Sequence, residues 1–350
     1  MYIEYAFVPK QKVLRSAACR QGKAAVFYMK KEEFYFDSRD GKSKIHAVRY
    51  TPDLGEVCCV LQIVHGMSEH IERYEEFAQF LTQRGIVVTG EDHLGHGKSV
   101  TTDGLYGYFC EQDPATVVVR DTHRLKKLTQ ALYPQVPYVL IGHSMGSFIV
   151  RNYACRYGTG VSGCILLGTG MQPRLLLYLG KAIAAVQRLF VGSKHVSKLL
   201  HIITFGSYNK RFMPIKTYCD WLSRDSQQVD KFRKDPMCNF IFTVNGFQTL
   251  FELISRLHSQ NNLKKMPKEL PVLILSGTDD PVGDYGKGVH KAYNSIKAAG
   301  MEKVWLKLYE EDRHELLHEL DRAKVTQDIY DWLKKTILNI KKTEAGLEYD

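Results

Sequence analysis

The fold of this chain is decided by residues 138–154, which read YVLIGHSMGSFIVRNYA. An apolar run of strand length precedes Gly-x-Ser-x-Gly, and a helical pattern follows it. The two glycines allow a serine to occupy a sharp, strained bend with its hydroxyl exposed at the carboxyl end of a sheet. Because the motif lies between a strand and a helix, it indicates that Ser144 is a nucleophile and not an ordinary turn residue.

On both sides of this stretch, apolar runs alternate with helical patterns. That alternation predicts an α/β fold with a mostly parallel, doubly wound sheet. In such sheets, active sites lie beyond the carboxyl ends of the strands. The predicted further strands are 60–64, 86–89, 164–167, 271–275 and 304–308, and the predicted helices are 73–83, 113–132, 287–299 and 323–340. Residues 34–36 and 45–50 predict an antiparallel hairpin at the sheet edge, because Asp40-Gly41 between them supplies a turn.

The interval from residue 170 to 265 breaks the alternation, since it is helical and has no clear run of buried-strand residues. We interpret it as a cap inserted over the site. The predicted organisation has a basic, disordered N-terminal extension and a tail at the ends. Between them lie two parts of the core, separated by the cap. The segments are the extension (1–30), the first core part (31–169), the cap (170–265), the second core part (266–342) and the tail (343–350).

The first cap helix, predicted over residues 174–190, is amphipathic. Its apolar face carries Leu176, Leu179, Ile183, Val186 and Phe190, and its opposite face carries Arg174, Lys181 and Arg188. Two arrangements stay open. In the first, the helix packs on the core and its cations lie in water; in the second, it rests on a membrane surface and collects lipid. Leu176, Leu179 and Ile183 are expected to contact the substrate.

Composition restricts the class of protein. The net charge is +10, but residues 1–31 carry seven Lys or Arg and one Glu, so they supply +6 and leave +4 for the rest. This balance gives no reason to expect a nucleic-acid partner. The eight cysteines include no C-x-x-C pair and predict buried thiols in a reducing compartment.

The expected location is the cytoplasm. No apolar stretch reaches the roughly 18 residues of a membrane span, and the first 28 residues lack the apolar region of a secretory signal. Peripheral contact with the inner membrane face is implied only by the second arrangement of the cap helix. The sequence does not indicate an oligomeric state.

A nucleophilic serine requires a base and an acid that orients the base, and in this fold the chain order is serine, acid, histidine. The segment that follows the strand at 271–275 supplies Asp280, with Asp279 and Asp284 as alternatives. His314 follows the last predicted strand and is the predicted base. The developing oxyanion needs backbone N–H donors, which we assign to Met67 and Met145.

Two other motifs compete with this interpretation. Residues 314–318 spell H-E-x-x-H, a zinc pattern, but zinc would need a third ligand and would make the Ser144 constellation coincidental. Gly97-Lys98-Ser99 is similar to the end of a phosphate-binding loop, yet the first glycine of that signature would fall at Asp92. We therefore expect no metal and no organic cofactor.

With these residues placed, the chain resembles the monoglyceride lipase and lysophospholipase branch of the α/β-hydrolases, a group also described as serine aminopeptidase-like. The resemblance covers about residues 33–340. It rests on HGMSEH (65–70), DHLGHGKS (92–99), GHSMG (142–146), GTDD (277–280) and the YE…H segment (309–314). It implies Asp280 in preference to Asp279, and it places His65, Gly66, Glu69 and His143 around the substrate.

The predicted function is that of a serine ester hydrolase. It would cleave the acyl ester of a monoacylglycerol or lysophospholipid through an acyl-enzyme, because each buried methylene of an acyl chain contributes about 0.8 kcal/mol in a cap rich in Leu, Ile and Phe. A short-chain carboxylesterase is one alternative. An aminopeptidase-like enzyme is another, for which the cap offers Asp220, Asp225, Asp230 and Glu252 to a substrate amine. A non-catalytic binding protein with this fold is a third alternative, and the intact serine, acid and histidine argue against it.

Overall fold

The computed structural model describes residues 12–14, 29–53, 55–100 and 104–338. Its strands are β1 (Lys12–Leu14), β2 (Met29–Asp37), β3 (Lys44–Pro52), β4 (Cys59–Val64), β5 (Ile86–Glu91), β6 (Tyr138–His143), β7 (Gly163–Leu167), β8 (Val272–Gly277) and β9 (Val304–Tyr309). They form one sheet in the order β1-β2-β3-β5-β4-β6-β7-β8-β9. The predicted tail lies outside the described residues. So does most of the predicted N-terminal extension, although β1 and the start of β2 fall within its bounds.

The predicted fold class is confirmed. Strands β4 to β9 run parallel to one another, whereas β1, β2 and β3 form an antiparallel edge, in which β3 pairs antiparallel with β5. The predicted hairpin is confirmed as well, since β2 and β3 pair Phe34 with Ala47 and Phe36 with Ile45. The carboxyl ends of the parallel strands therefore meet at one edge of the sheet, where the predicted site residues follow them.

The helices are α1 (Glu75–Thr82), α2 (Pro114–Leu132), α3 (Met145–Tyr157), α4 (Arg174–Val191), α5 (Lys198–Phe205), α6 (Ser226–Lys234), α7 (Val244–Arg256), α8 (Gln260–Leu263), α9 (Lys287–Ala298) and α10 (Arg322–Trp332). Their bounds differ from the predicted ones mainly at the ends. The first predicted helix begins with a 3₁₀ turn over Ile71–Tyr74, and α10 continues as a π-helix over Leu333–Leu338. The Asp113 carboxylate caps α2 by accepting the Thr116 N–H at 3.3 Å.

The sheet is buried on both faces, which explains why its central strands are continuous apolar runs. Alternate residues of β4 point to opposite sides. Val60 and Val64 belong to one apolar cluster with residues of α2, α3 and α7, and Leu61 and Ile63 belong to another with residues of α1 and α10. The helices thus cover both faces of the sheet.

Between β7 and β8, in a stretch that the structure describes without a gap, the chain leaves the sheet and forms α4 to α8. These helices occupy the interval predicted as the cap, and α7 packs against α2 and α3 of the core. Among the residues that the structure describes, no helix is both long enough and apolar enough to cross a membrane.

Candidate active site

Ser144 occupies the bend between β6 and α3. Its backbone has φ 51° and ψ −118°, a strained conformation for a residue with a side chain. Both glycines of the motif are required sterically. A Cβ at position 142 would lie 2.4 Å from the Gly146 carbonyl oxygen, and a Cβ at position 146 would lie 1.9 Å from that of Val64. The predicted strand, bend and helix therefore form as the motif requires.

Asp280 and His314 lie together beyond the ends of β8 and β9. The imidazole Nδ1 is 3.0 Å from Asp280 Oδ1, and both side chains are buried. The carboxylate also accepts hydrogen bonds from the Val282 N–H at 2.8 Å and the Ser276 hydroxyl at 3.2 Å. Because a carboxylate only accepts, it holds the proton of His314 on Nδ1 and leaves the Nε2 lone pair free.

The two alternative acids lie elsewhere. Asp279 is partly exposed and pairs with Arg211 at 3.5 Å, and Asp284 is exposed. Of the three candidates, Asp280 is the carboxylate that contacts the histidine.

The serine and histidine loops are neighbours, but their side chains do not touch through a hydrogen bond. The Ser144 N–H donates to Leu167 O at 2.9 Å, and the His314 ring packs where a Cβ on Gly168 would lie, 3.0 Å from Cε1 and from Nδ1. Within the described residues, the Ser144 hydroxyl has no hydrogen-bond partner. The structure thus assembles the acid–histidine half and leaves the serine–histidine contact open, as is common without substrate.

The two predicted oxyanion donors belong to the segments next to the serine. Met145 is the first residue of α3, where an N–H has no acceptor inside the helix and the helix dipole is positive. On the neighbouring loop, the Gly66 N–H is taken by Glu69 Oε1 at 2.6 Å. The next N–H, that of Met67, has no acceptor among the described residues. The predicted donors are therefore the free ones.

Glu69 and His143 lie in a buried ion-pair network, which we name the Glu69 network. Glu69 accepts from Arg73 at 2.7 Å and contacts His143 Nδ1 at 2.9 Å, and Arg73 also binds Glu315 with two hydrogen bonds of 2.9 and 2.7 Å. Although burial opposes ionisation, Arg73 and His143 lower the pKa of Glu69 to about 2. Burial likewise opposes protonation of His143, but Glu69 outweighs it and raises the pKa of His143.

The Glu69 network changes the interpretation of two predicted substrate contacts. Glu69 and His143 bind each other, and Glu69 also binds Arg73, so both side chains are paired inside the protein. Through these contacts they hold the loop of Met67, the serine bend and the histidine loop together. His65 differs from the prediction in the same way. It is fully buried, its Nδ1 lies 2.8 Å from Gly66 O, and its Nε2 accepts the His93 N–H at 3.1 Å. Burial lowers the pKa of His65 well below its ordinary value, so it is a neutral structural residue.

Gly66 has a steric role. A Cβ there would lie 2.6 Å from Glu69 Oε1 and 3.1 Å from the Ser144 Cβ. Only a glycine lets the Met67 loop approach the serine this closely.

The histidines of the H-E-x-x-H pattern have different partners. His314 pairs with Asp280, whereas His318 Nε2 lies 3.1 Å from Arg73 O and its Nδ1 lies 3.4 Å from Glu315. A cluster of side chains close enough together to share a metal ion lies elsewhere, at the junction of core and cap. Its members are His70, Asp235 and Cys238, and their ligand atoms lie within 4.8 Å of one another.

The orientation of α4 is the largest difference from the predicted site. Leu176 and Leu179 are 62% and 52% exposed, so they point to solvent and do not line a covered acyl site. Ile183 is partly buried against the core cluster. The cationic face is the one that packs, because Lys181 contacts Glu252 of α7 at 2.8 Å and Arg188 contacts Glu111 at 2.8 Å. The residues that α4 buries are Leu177, Gly180 and Ala184.

The cap places residues over the site that the sequence gave no reason to select. The Trp221 ring lies 5.2 Å from the His314 ring, and the Glu315 N–H donates to Leu222 O at 2.8 Å. Such contacts join positions about 90 residues apart, so no local pattern marks them.

Comparison with known proteins agrees with this geometry. The family described as Serine aminopeptidase, S33 matches residues 55–321. The monoglyceride lipase homolog of Monkeypox virus is 31% identical over 275 residues, covering 77% of this chain and 87% of that protein. The monoglyceride lipase of Rattus norvegicus is 30% identical over 293 residues, covering 83% and 86%. A thermostable carboxyl esterase from Bacillus coagulans, solved in complex with glycerol, has a TM-score of 0.82 and 30% identity, covering 88% of this chain and 99% of that one.

Proposed function

Because this chain belongs to the serine aminopeptidase S33 family of α/β-hydrolases, we propose that Ser144 carries out the ester hydrolysis for which its lipase relatives are named. The chain is an ester hydrolase that acts on monoacylglycerol. The observation that carries the assignment of its residues is the buried Asp280–His314 pair, 3.0 Å apart, beside a serine on a strained bend. Both lie where the parallel strands end.

In the first half-reaction, the acyl carbonyl oxygen binds between the N–H groups of Met67 and Met145. Ser144 Oγ attacks the carbonyl carbon, and His314 Nε2 takes the hydroxyl proton. Each N–H donor stabilises the oxyanion in the transition state by on the order of 3 kcal/mol. The C–O bond to glycerol then breaks, and His314 returns the proton to the leaving oxygen.

In the second half-reaction, water attacks the acyl-enzyme. His314 removes a proton from the water, the same two N–H groups hold the second oxyanion, and Ser144 leaves with the proton. The products are a fatty acid and free enzyme. Asp280 holds the imidazole in the required tautomer through both steps and stays ionised.

The cap favours an ester over an N-terminal peptide as substrate. A peptidase of this kind needs a carboxylate free to bind an amine, but all four predicted candidates are engaged. Asp220 accepts the N–H groups of Lys216 and Thr217, and Asp225 caps α6. Asp230 pairs with Arg233, and Glu252 pairs with Lys181 and Arg256.

A substrate panel tests this proposal. Long-chain monoacylglycerols should exceed lysophospholipids of the same acyl chain at least about tenfold in kcat/KM, because glycerol leaves no phosphate charge to be desolvated near the site. The kcat/KM for monoacylglycerols should rise by up to about fourfold for each methylene added to the acyl chain, until the acyl site is filled. Faster hydrolysis of aminoacyl anilides than of every ester would contradict the proposal.

The similarity to the Bacillus coagulans carboxyl esterase favours a second candidate, a short-chain ester hydrolase. In the same panel, that enzyme would show a rate that stops rising at short acyl chains. The series of p-nitrophenyl esters from acetate to palmitate therefore separates the two candidates by its slope.

We further propose that the exposed apolar face of the cap contacts an anionic lipid surface, from which the enzyme takes its substrate. Leu189 and Phe190 at the end of α4 are 84% and 83% exposed, and Ile202 of α5 is 65% exposed. An apolar patch that projects from two adjacent helices is typical of a lipid or protein contact. Residues 170–219 contain eight Lys or Arg and no Asp or Glu, which favours an anionic bilayer.

Charging this face should weaken vesicle binding. For the double variant Leu189→Asp/Phe190→Asp, we expect about 30-fold weaker partitioning onto phosphatidylglycerol vesicles, since about 2 kcal/mol of apolar contact is lost. Sedimentation with the vesicles measures the effect, and hydrolysis of soluble p-nitrophenyl butyrate should be unchanged. Leu132→Asp, at an exposed leucine of α2, is the matched control and should bind like the original protein. Equal binding by the double variant would show that lipid contacts another surface.

A further inference from the structure

Arg224 of the cap lies against the loop that carries His314. It follows the 3₁₀ turn Asp220–Leu222 and immediately precedes Asp225, the N-cap residue of helix α6. Its guanidinium donates to Asp312, to Glu319 Oε2 at 3.2 Å and to Asp321 at 3.1 Å. Its backbone N–H donates to Glu319 Oε1 at 2.8 Å. One cap residue thus binds the histidine loop on both sides of the catalytic imidazole.

Without Arg224, the two carboxylates that it binds, Asp312 and Glu319, would be buried next to each other without a cation, which is unfavourable. Asp312 and Glu319 are both fully buried, and neither side chain reaches solvent. Burial and the nearby Glu319 raise the pKa of Asp312 to about 6, although Arg224 acts in the opposite direction. Removing the cation would leave two buried carboxylates facing each other, so the loop would have to move to rehydrate them.

Hydrogen bonds from side chains to backbone oxygens join the same two segments. The Ser223 hydroxyl donates to His318 O at 2.9 Å, and the Arg313 guanidinium donates to Ser223 O at 3.2 Å. With the Glu315–Leu222 contact described above, the cap segment 220–224 holds the chain immediately before and after His314. On its other side, the loop contacts the acid segment, where the Asp279 N–H donates to Asp312 O at 3.0 Å.

We infer that Arg224 is a positioning residue for His314, through which the seated cap holds the catalytic base against Asp280. This inference rests on the proposed triad. Arg224 does not reach the reacting atoms; it acts on the loop through Asp312 and Glu319. A displacement of about 1 Å in a catalytic group is enough to cost on the order of a hundredfold in rate. Catalytic competence therefore depends on the cap, even for a substrate too small to use the acyl site.

The test measures p-nitrophenyl acetate hydrolysis by Arg224→Gln and Arg224→Lys, normalised to active sites titrated with a fluorophosphonate. We expect kcat to fall on the order of 30- to 100-fold in Arg224→Gln, with KM changed less than about threefold. Lysine keeps the charge but cannot bridge three carboxylates, so Arg224→Lys should lose only about 3- to 10-fold. Arg188→Gln removes another cap–core ion pair, with Glu111, and should stay within twofold.

Titration separates a positioning role from simple unfolding, because unfolding lowers the number of active sites and leaves kcat per site unchanged. An Arg224→Gln enzyme with full kcat per titrated site would overturn the inference. So would a loss of equal size in Arg188→Gln. Ser144→Ala, run in parallel, tests the triad itself: if that variant still reacts with the fluorophosphonate, the proposed function fails. If it is inert and Arg224→Gln is unimpaired, only the role of Arg224 fails.

Discussion

Ser144→Ala is expected to lower kcat for monoacylglycerol on the order of a million-fold and to leave the fold intact. The loss is large because no other group on the bend can form the acyl-enzyme. The fold should persist because the hydroxyl makes no hydrogen bond within the described residues and the backbone conformation stays the same. Steady-state hydrolysis and fluorophosphonate labelling measure the first effect, and thermal unfolding measures the second.

Ser207→Ala is the matched control, since Ser207 is an exposed serine of the cap. It should keep full activity and full labelling. If purified Ser144→Ala retained more than about 1% of the activity, a loss of under 3 kcal/mol in transition-state stabilisation, the nucleophile would be a different residue.

Asp280→Asn is expected to lower kcat on the order of ten-thousandfold. The carboxylate accepts the Nδ1 proton of His314 and so keeps Nε2 free to take the proton of Ser144. An amide of the same shape can present its N–H₂ to Nδ1 and stabilise the wrong tautomer. In that orientation the amide oxygen takes the place of Oδ2 and can still accept from the Ser276 hydroxyl. The fold should tolerate the change because the amide has the same shape, although the Val282 N–H, which shares Oδ1 with His314, loses its acceptor.

Asp279→Asn provides a stringent control for this prediction, because it changes the adjacent carboxylate in the same loop. Asp279 pairs with Arg211 near the surface, so its loss should change kcat by no more than a few-fold. Comparable losses in the two variants, or a larger loss at 279, would reassign the orienting acid. In the double variant Ser144→Ala/Asp280→Asn, the second substitution should add little, because the two groups act as a unit.

Much of the site could be predicted because its chemistry is encoded next to strand ends. The motif at 142–146 carries its own steric argument, since only glycine fits at either side of Ser144. For His314, chain order and the position after a strand led to the prediction, because parallel strands bring their carboxyl ends to one edge. For the acid, the same argument left Asp279 and Asp284 open, and the family resemblance implied Asp280 in preference to Asp279. The predicted N–H donors were found in the same way, because Met67 and Met145 lie in the segments that follow strands β4 and β6.

The cap was harder to predict. Helical periodicity identified an apolar and a cationic face on α4, but it could not say which face the core would cover. Covering the cationic face is favoured here because α7 offers Glu252 to Lys181, and the loop before α2 offers Glu111 to Arg188. Those carboxylates lie about 70 residues away in the chain, so no window of sequence around α4 contains them.

By itself, the sequence predicted the parallel strands of the sheet and the strand, bend and helix that hold Ser144, the proposed nucleophile. Each of these depends on interactions between residues close in the chain or on the parallel direction of strands. Only the tertiary structure decided that Glu69 and His143 belong to a buried ion-pair network, that α4 turns its leucines outward, and that Arg224 binds the histidine loop. These features depend on charges that meet across long sequence separations, and burial makes the pairing of such charges decisive.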